Sequence, residues 1–115
     1  MPIIKKTNQV IHWTNHAKAK MRFYKLSEQR VRRVMNSPKR TEEGIAPNTV
    51  AMMQPASYKS NKSHKTYWTQ EIWIMAQKTN KKLKIISAWR YPGMTKQGEP
   101  LPEEILKELA LYKSL

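Results

Sequence analysis

The chain has 115 residues, with 22 Lys and Arg against 8 acidic residues and a formal net charge of +14; all eight acids are glutamate, and cysteine is absent. Disulfides, thiolate zinc sites, iron–sulfur clusters and cysteine nucleophiles are thereby excluded, and a carboxylate-held two-metal centre would need scattered glutamates. The length fits one domain over residues 1–115, and the excess of cations points to a polyanion as partner.

Residues 1–9 (MPIIKKTNQ) read as loosely ordered. They lack the apolar segment of a signal peptide, and no apolar run in the chain approaches a membrane span. The expectation is a soluble, cytoplasmic protein that does not engage a membrane. Val10, Ile11, His12 and Trp13 form a short β-branched and aromatic run, the mark of a strand. Thr14 or Asn15 then suits an N-cap, and residues 16–24 have helical spacing, with Ala17, Met21 and Tyr24 on one stripe and Lys18 and Arg22 on another.

A second helix is expected from Ser27, whose hydroxyl can cap the first turn, with Glu28 near the positive end of the helix dipole. Leu26, Val31, Val34 and Met35 supply its apolar side, Arg30, Arg32 and Arg33 project elsewhere, and Pro38 stops it. Residues 40–44 and 49–53 read as weak strands joined by a turn. Residues 57–65 (SYKSNKSHK) are polar and basic and read as a loop. The strongest strand signals are 66–77 and 83–91, with bulky residues on both faces, as central strands have. From Pro102, Ile105, Leu106, Leu109 and Tyr112 suggest a C-terminal helix. The order of elements predicts an α+β domain: two N-terminal helices packed on a twisted antiparallel sheet of about four strands, with a C-terminal helix.

The charge is uneven. Residues 1–65 carry fourteen Lys and Arg and three Glu, and residues 66–115 carry eight and five. Lys18, Arg22, Arg30, Arg32 and Arg33 on the helices, with Lys59, Lys62, His64 and Lys65 in the loop, are therefore the candidate nucleic-acid contacts. His12 and His16 stand four apart, but a strand-to-helix junction separates them and His64 is remote, so neither metal nor other cofactor is expected. His16 has the intrinsic pKa for proton transfer near neutrality. Arg90 and Tyr91, at the end of the last strand, can clamp a phosphate and stack on a base or donate a proton. Such groups suffice for metal-free cleavage of RNA, in which the 2′-OH attacks the adjacent phosphate.

The stretch Thr14, His16, Ala17, Met21, Leu26, Ser27 and Val31 resembles the opening of a small prokaryotic and phage family of unknown function, with the pattern T-x-H-A-x-x-R-M-x-x-R-G-I-S-x-x-x-V. That family is grouped with the RelE and BrnT-like toxins. Lys20, Tyr24 and Lys25 stand where the pattern has two arginines and a glycine. Lys20 keeps a cation without the bidentate geometry of arginine, and Tyr24 loses the charge. The resemblance implies a RelE-like fold and an RNA-directed protein akin to the metal-independent endoribonuclease toxins of toxin–antitoxin systems. His16, Lys20, Arg90 and Tyr91 would be the catalytic set. Two alternatives stand beside it. One is a non-catalytic nucleic-acid-binding protein using the basic helix 27–35; the other is a basic interaction protein that binds an acidic, antitoxin-like partner.

Overall fold

The computed structural model describes residues 10–44, 47–103 and 106–107; the expected loose ordering of residues 1–9 lies outside them. Strand β1 (Val10–Trp13) runs directly into helix α1 (Asn15–Tyr24). Thr14 makes that junction. Its Oγ1 accepts from the Ala17 N–H and donates to the Ile85 carbonyl at 2.8 Å, so one hydroxyl caps the helix and ties it to the sheet. Past Tyr24 the chain reverses through Lys25 in the left-handed conformation, φ 56. The Lys25 N–H bonds to Arg22 O and the Leu26 N–H to Met21 O, the paired bonds of a Schellman ending, with Leu26 buried. Helix α2 (Glu28–Asn36) is capped by Ser27 Oγ on the Arg30 N–H.

Five strands form the main sheet: β1, then β2 (Arg40–Glu43), β3 (Thr49–Pro55), β6 (Gln70–Lys78) and β7 (Lys82–Pro92). Between β3 and β6 the chain makes a separate hairpin of β4 (Lys59–Ser60) and β5 (Thr66–Tyr67). The order across the main sheet is β1-β7-β6-β3-β2, with β1 parallel to β7 and the other neighbours antiparallel. The expectation of a purely antiparallel, RelE-like sheet of about four strands with two helices before it and one after it is thus corrected. The sheet is mixed, a two-stranded hairpin accompanies it, and the described residues contain two helices. The third helix expected from Pro102 falls mostly on residues 104, 105 and 108–115, outside the described set. The parallel edge arises because Thr14 anchors the end of β1 at Ile85, some seventy residues on. A four-residue apolar run carries no sign of such a distant partner.

Both helices cover one face. α1 lies on β7, and α2 lies on β3 and β6. Ala17, Met21, Leu26, Val31, Val34 and Met35 pack there on strand residues such as Met52, Ile72, Ile74 and Ile85. The opposite face buries Met53, Trp68, Trp73, Met75, Ile86 and Trp89. A register shift at Met75 and Ala76 leaves Ile86 as the extra residue of β7. Neighbouring strand residues point to opposite faces, which sends Ile85 into the helix-side core and Ile86 into the other; the bulge then shifts the alternation, so that Ala88 joins Ile85 and Trp89 joins Ile86.

Residues 94–101 form a strap across the second face. Thr95 donates to Glu71 through both its N–H and its hydroxyl, the Gly98 N–H donates to Glu42, and Leu101 packs on the tryptophan cluster. At the β2 edge the Gln97 amide pairs with the Thr41 backbone, accepting from its N–H at 3.1 Å and donating to its carbonyl at 2.8 Å. A side chain thus occupies hydrogen-bonding positions that a further strand would take.

Candidate nucleic-acid interface

α1 and α2 project their cations from the helical face of the sheet. Between described residues the ion pairs are Arg40 with Glu42 and Lys107 with Glu103, and neither involves a cation of α1 or α2. Lys18, Arg22, Lys25, Arg32 and Arg33 are exposed, and no carboxylate of the described residues pairs with them. Lys18, Arg22 and Lys25 line a groove of about 460 Å³ with Met21, Leu26, Ser27 and Glu28. Glu28 is the lone acid on that wall, at the capped start of α2.

Some of the expected contacts are committed to the fold. Arg30 is half-buried; its guanidinium donates to Gln54 Oε1 at 2.7 Å and to the Pro55 carbonyl at 3.0 Å, fastening α2 to β3. Gln54 completes the clasp by donating to the Arg33 and Ser37 carbonyls at the end of α2. Burial, then the charges of Arg33 and Arg90, holds the Arg30 guanidinium below its ordinary pKa. These three arginines therefore share one electrostatic neighbourhood. Arg32 lies over the Trp13 ring, 5.6 Å from its centre.

Arg90 reaches the helical face from β7, where it donates to the Tyr24 carbonyl at 2.7 Å, to Gln70 Oε1 at 3.2 Å and to the Lys25 carbonyl at 3.5 Å. It closes the C-terminal end of α1, where backbone carbonyls lack helical partners. His16 sits in the first turn of the same helix. Eight residues separate it from Tyr24, about 12 Å along the axis at the usual rise. Lys20 lies between them on the same stripe, over the Tyr24 ring at 5.3 Å. Tyr91 belongs to the other face and packs on the tryptophan cluster. Of the four residues proposed for catalysis, His16 and Lys20 share a stripe, Arg90 stands at the far end of that helix, and Tyr91 lies across the sheet.

Lys59, Lys62, His64 and Lys65 are all exposed on the β4–β5 hairpin. The expected loop is a folded turn: Asn61 Oδ1 accepts from the Ser63 and Lys65 N–H groups, and His64 takes a positive φ of 61. This hairpin springs from the sheet between Pro55 and Gln70, the same end that Arg30 and Arg90 clasp. An edge-on contact of Tyr58 with Trp68 at 6.0 Å leans it toward the strap face. Two residues of the basic surface were not singled out by sequence. Lys25 stands in the turn where the family pattern has glycine, and that glycine was the available signal for its left-handed conformation. Phe23 is 77% exposed, and its place off the Ala17–Met21–Tyr24 stripe was the available signal.

Among the described residues no three His, Asp or Glu side chains gather as a metal site would require, and no helix is long and apolar enough to cross a membrane. Compared with known proteins, the chain matches no family model, no curated protein and no solved structure.

Proposed function

We propose that this protein binds RNA through the basic face built by α1, α2 and their junction. The observation that carries the reading is the row of exposed cations, Lys18, Arg22, Lys25, Arg32 and Arg33, with which no described carboxylate pairs. Clustered like charges repel one another, and a polyphosphate backbone relieves that repulsion while releasing its own counterions. Binding is favoured over cutting, because Arg90 is engaged with backbone carbonyls of α1 and Tyr91 lies on the opposite face. Binding centred on the basic helix 27–35 is less favoured, because Arg30, one of its three arginines, is bonded to Gln54 and Pro55. A cytoplasmic site of action goes with this reading.

The test is fluorescence anisotropy with a defined RNA over a salt series, for the wild-type chain and for a Lys18→Gln, Arg22→Gln, Lys25→Gln triple variant. The wild type should show a steep fall of affinity with salt. The triple variant should lose roughly two units of that slope, since each phosphate contact on a single strand contributes about 0.7. Affinity indifferent to salt, or a triple variant with the wild-type slope, would overturn the reading. The same RNA incubated with the protein in excess EDTA should stay intact; cleavage that disappears in His16→Ala would replace binding by a metal-independent ribonuclease.

A further inference from the structure

The outward strip of α1 holds a side chain that neither core uses. Phe23 is the chain's one phenylalanine, and it is 77% exposed. At 3.6 residues per turn, Ala17, Met21 and Tyr24 mark the buried side of α1, and Ala19 with Phe23 falls roughly opposite. Lys18 and Arg22 run along one flank of that strip, and His16 and Lys20 along the other. Ala19 stands one turn before Phe23 on the same strip, and its methyl group leaves room beside the ring for a planar ligand. The Tyr24 ring meets Phe23 at 86° with centres 4.8 Å apart, and so fixes the ring's orientation on an otherwise open surface.

An aromatic ring with Lys18 and Arg22 along one flank and Lys20 on the other combines what a single strand needs: a π-face for a base and charges for the backbone beside it. In a duplex the faces of the bases are already stacked on one another, so an exposed ring on the protein gains nothing there. Resting on the RNA-binding reading above, we propose that the ligand of this face is single-stranded RNA and that Phe23 is the platform on which one of its bases stacks.

The experiment measures anisotropy of a labelled oligouridylate and of a duplex RNA of equal length, with wild type, Phe23→Ala, Phe23→Leu and Phe23→Trp. Thermal melts would confirm that each variant folds, as exposure of the site leads one to expect. Phe23→Ala and Phe23→Leu should lose roughly 5- to 150-fold in affinity for the single strand, the usual worth of one base–aromatic stack. Phe23→Trp should match or exceed the wild type. Duplex affinity and the salt slope should not change, because no phosphate contact is removed. Wild-type affinity in Phe23→Ala overturns the stacking proposal and leaves the basic-face reading standing. Full affinity in Phe23→Leu also overturns it, because an apolar cover would then suffice. A wild-type chain that binds neither RNA overturns both.

Discussion

The two faces of the sheet treat charge in opposite ways. On the helical face Lys18, Arg22, Lys25, Arg32 and Arg33 are exposed with no carboxylate partner among the described residues, and the acid of the groove wall is Glu28 at a helix start. On the strap face Arg40 and Glu71 are buried and bonded. Arg40 is 1% exposed; its Nε donates to Glu42 at 2.7 Å, it lies over Trp73, and a second nitrogen donates to the Glu99 carbonyl. Glu71 is fully buried and accepts from Trp68 Nε1 and Trp73 Nε1, each at 2.9 Å, and from the Thr95 N–H at 2.7 Å. Arg40 Nη1 and Trp89 Nε1 are the buried side-chain donors left without a partner among the described residues. The difference separates two uses of charge in one small domain. One face leaves it exposed, and the other uses it to hold a loop against a core.

The largest expected effect tests whether that separation is real. Glu71→Ala removes the acceptor for two indole N–H groups and for both donors of Thr95. Each buried donor left unpaired costs about 1–3 kcal/mol, so a loss of roughly 3–5 kcal/mol is expected, large against the total stability of a small domain. Urea unfolding would measure it, and hydrogen exchange should show the 94–101 strap opening first. RNA affinity of the folded fraction should be unchanged. A parallel loss of RNA affinity would mean that the two faces are coupled, and the comparison would fail.

How much of this could be read from sequence differs by face. The helices were legible because their signals are local: Thr14 and Ser27 as caps, Pro38 as a stop, and apolar residues at helical spacing. β6 and β7 were legible because bulky residues on both faces demand a layer on each side, although the run 66–77 expected as one strand is split, with Thr66–Tyr67 in the hairpin and the sheet strand starting at Gln70. The cationic helices follow directly from composition, and so does the absence of thiol chemistry. The strap face was not legible. Glu71 meets Thr95 twenty-four residues away and Arg40 meets Glu99 across fifty-nine, and periodicity does not encode partners at such distances. The same holds for β1 against β7. Arg90 was visible as a strand-end arginine, but its task of closing α1 depends on where β7 lies beneath that helix. Residues 57–65 read as a plain loop because two-residue strands leave no periodic trace.

A smaller effect sharpens the strap side of the comparison through pH. Burial pulls the Glu42 carboxyl upward, but hydrogen bonds from Arg40 and from the Gly98 N–H, with the Arg40 charge, outweigh it and hold the group below its ordinary 4.5. A carboxyl whose pKa is lower in the folded state contributes stability above the unfolded value and loses it as pH falls through the folded one. The contribution should thus be complete at neutral pH and disappear progressively below about 4.5. Glu42→Gln should cost about 1–2 kcal/mol at pH 7, from charge-assisted hydrogen bonds at a partly exposed site, and should flatten the acid limb of a stability–pH curve from urea titrations. An acid limb as steep as the wild type's would assign the sensitivity to another carboxyl.

The smallest expected effect sits on the other face and has two signs. Lys25 takes a left-handed φ of 56, a conformation that costs an L-residue with a side chain roughly 1–2 kcal/mol and costs glycine nothing. Glycine also gives up more freedom on folding, so Lys25→Gly should stabilise the chain by a net amount of about 0.5–1 kcal/mol, read as a higher urea midpoint at unchanged slope. The same change removes a cation from the groove that Lys18 and Arg22 line. RNA affinity should fall, and the salt slope should shrink by about 0.7, the share of one phosphate contact on a single strand. Stability that rises while affinity falls is the outcome that the proposed RNA-binding face predicts for Lys25. Should the glycine variant gain stability and keep its full RNA affinity, Lys25 would drop out of the interface, and the cationic face would contract to Lys18, Arg22 and the arginines of α2.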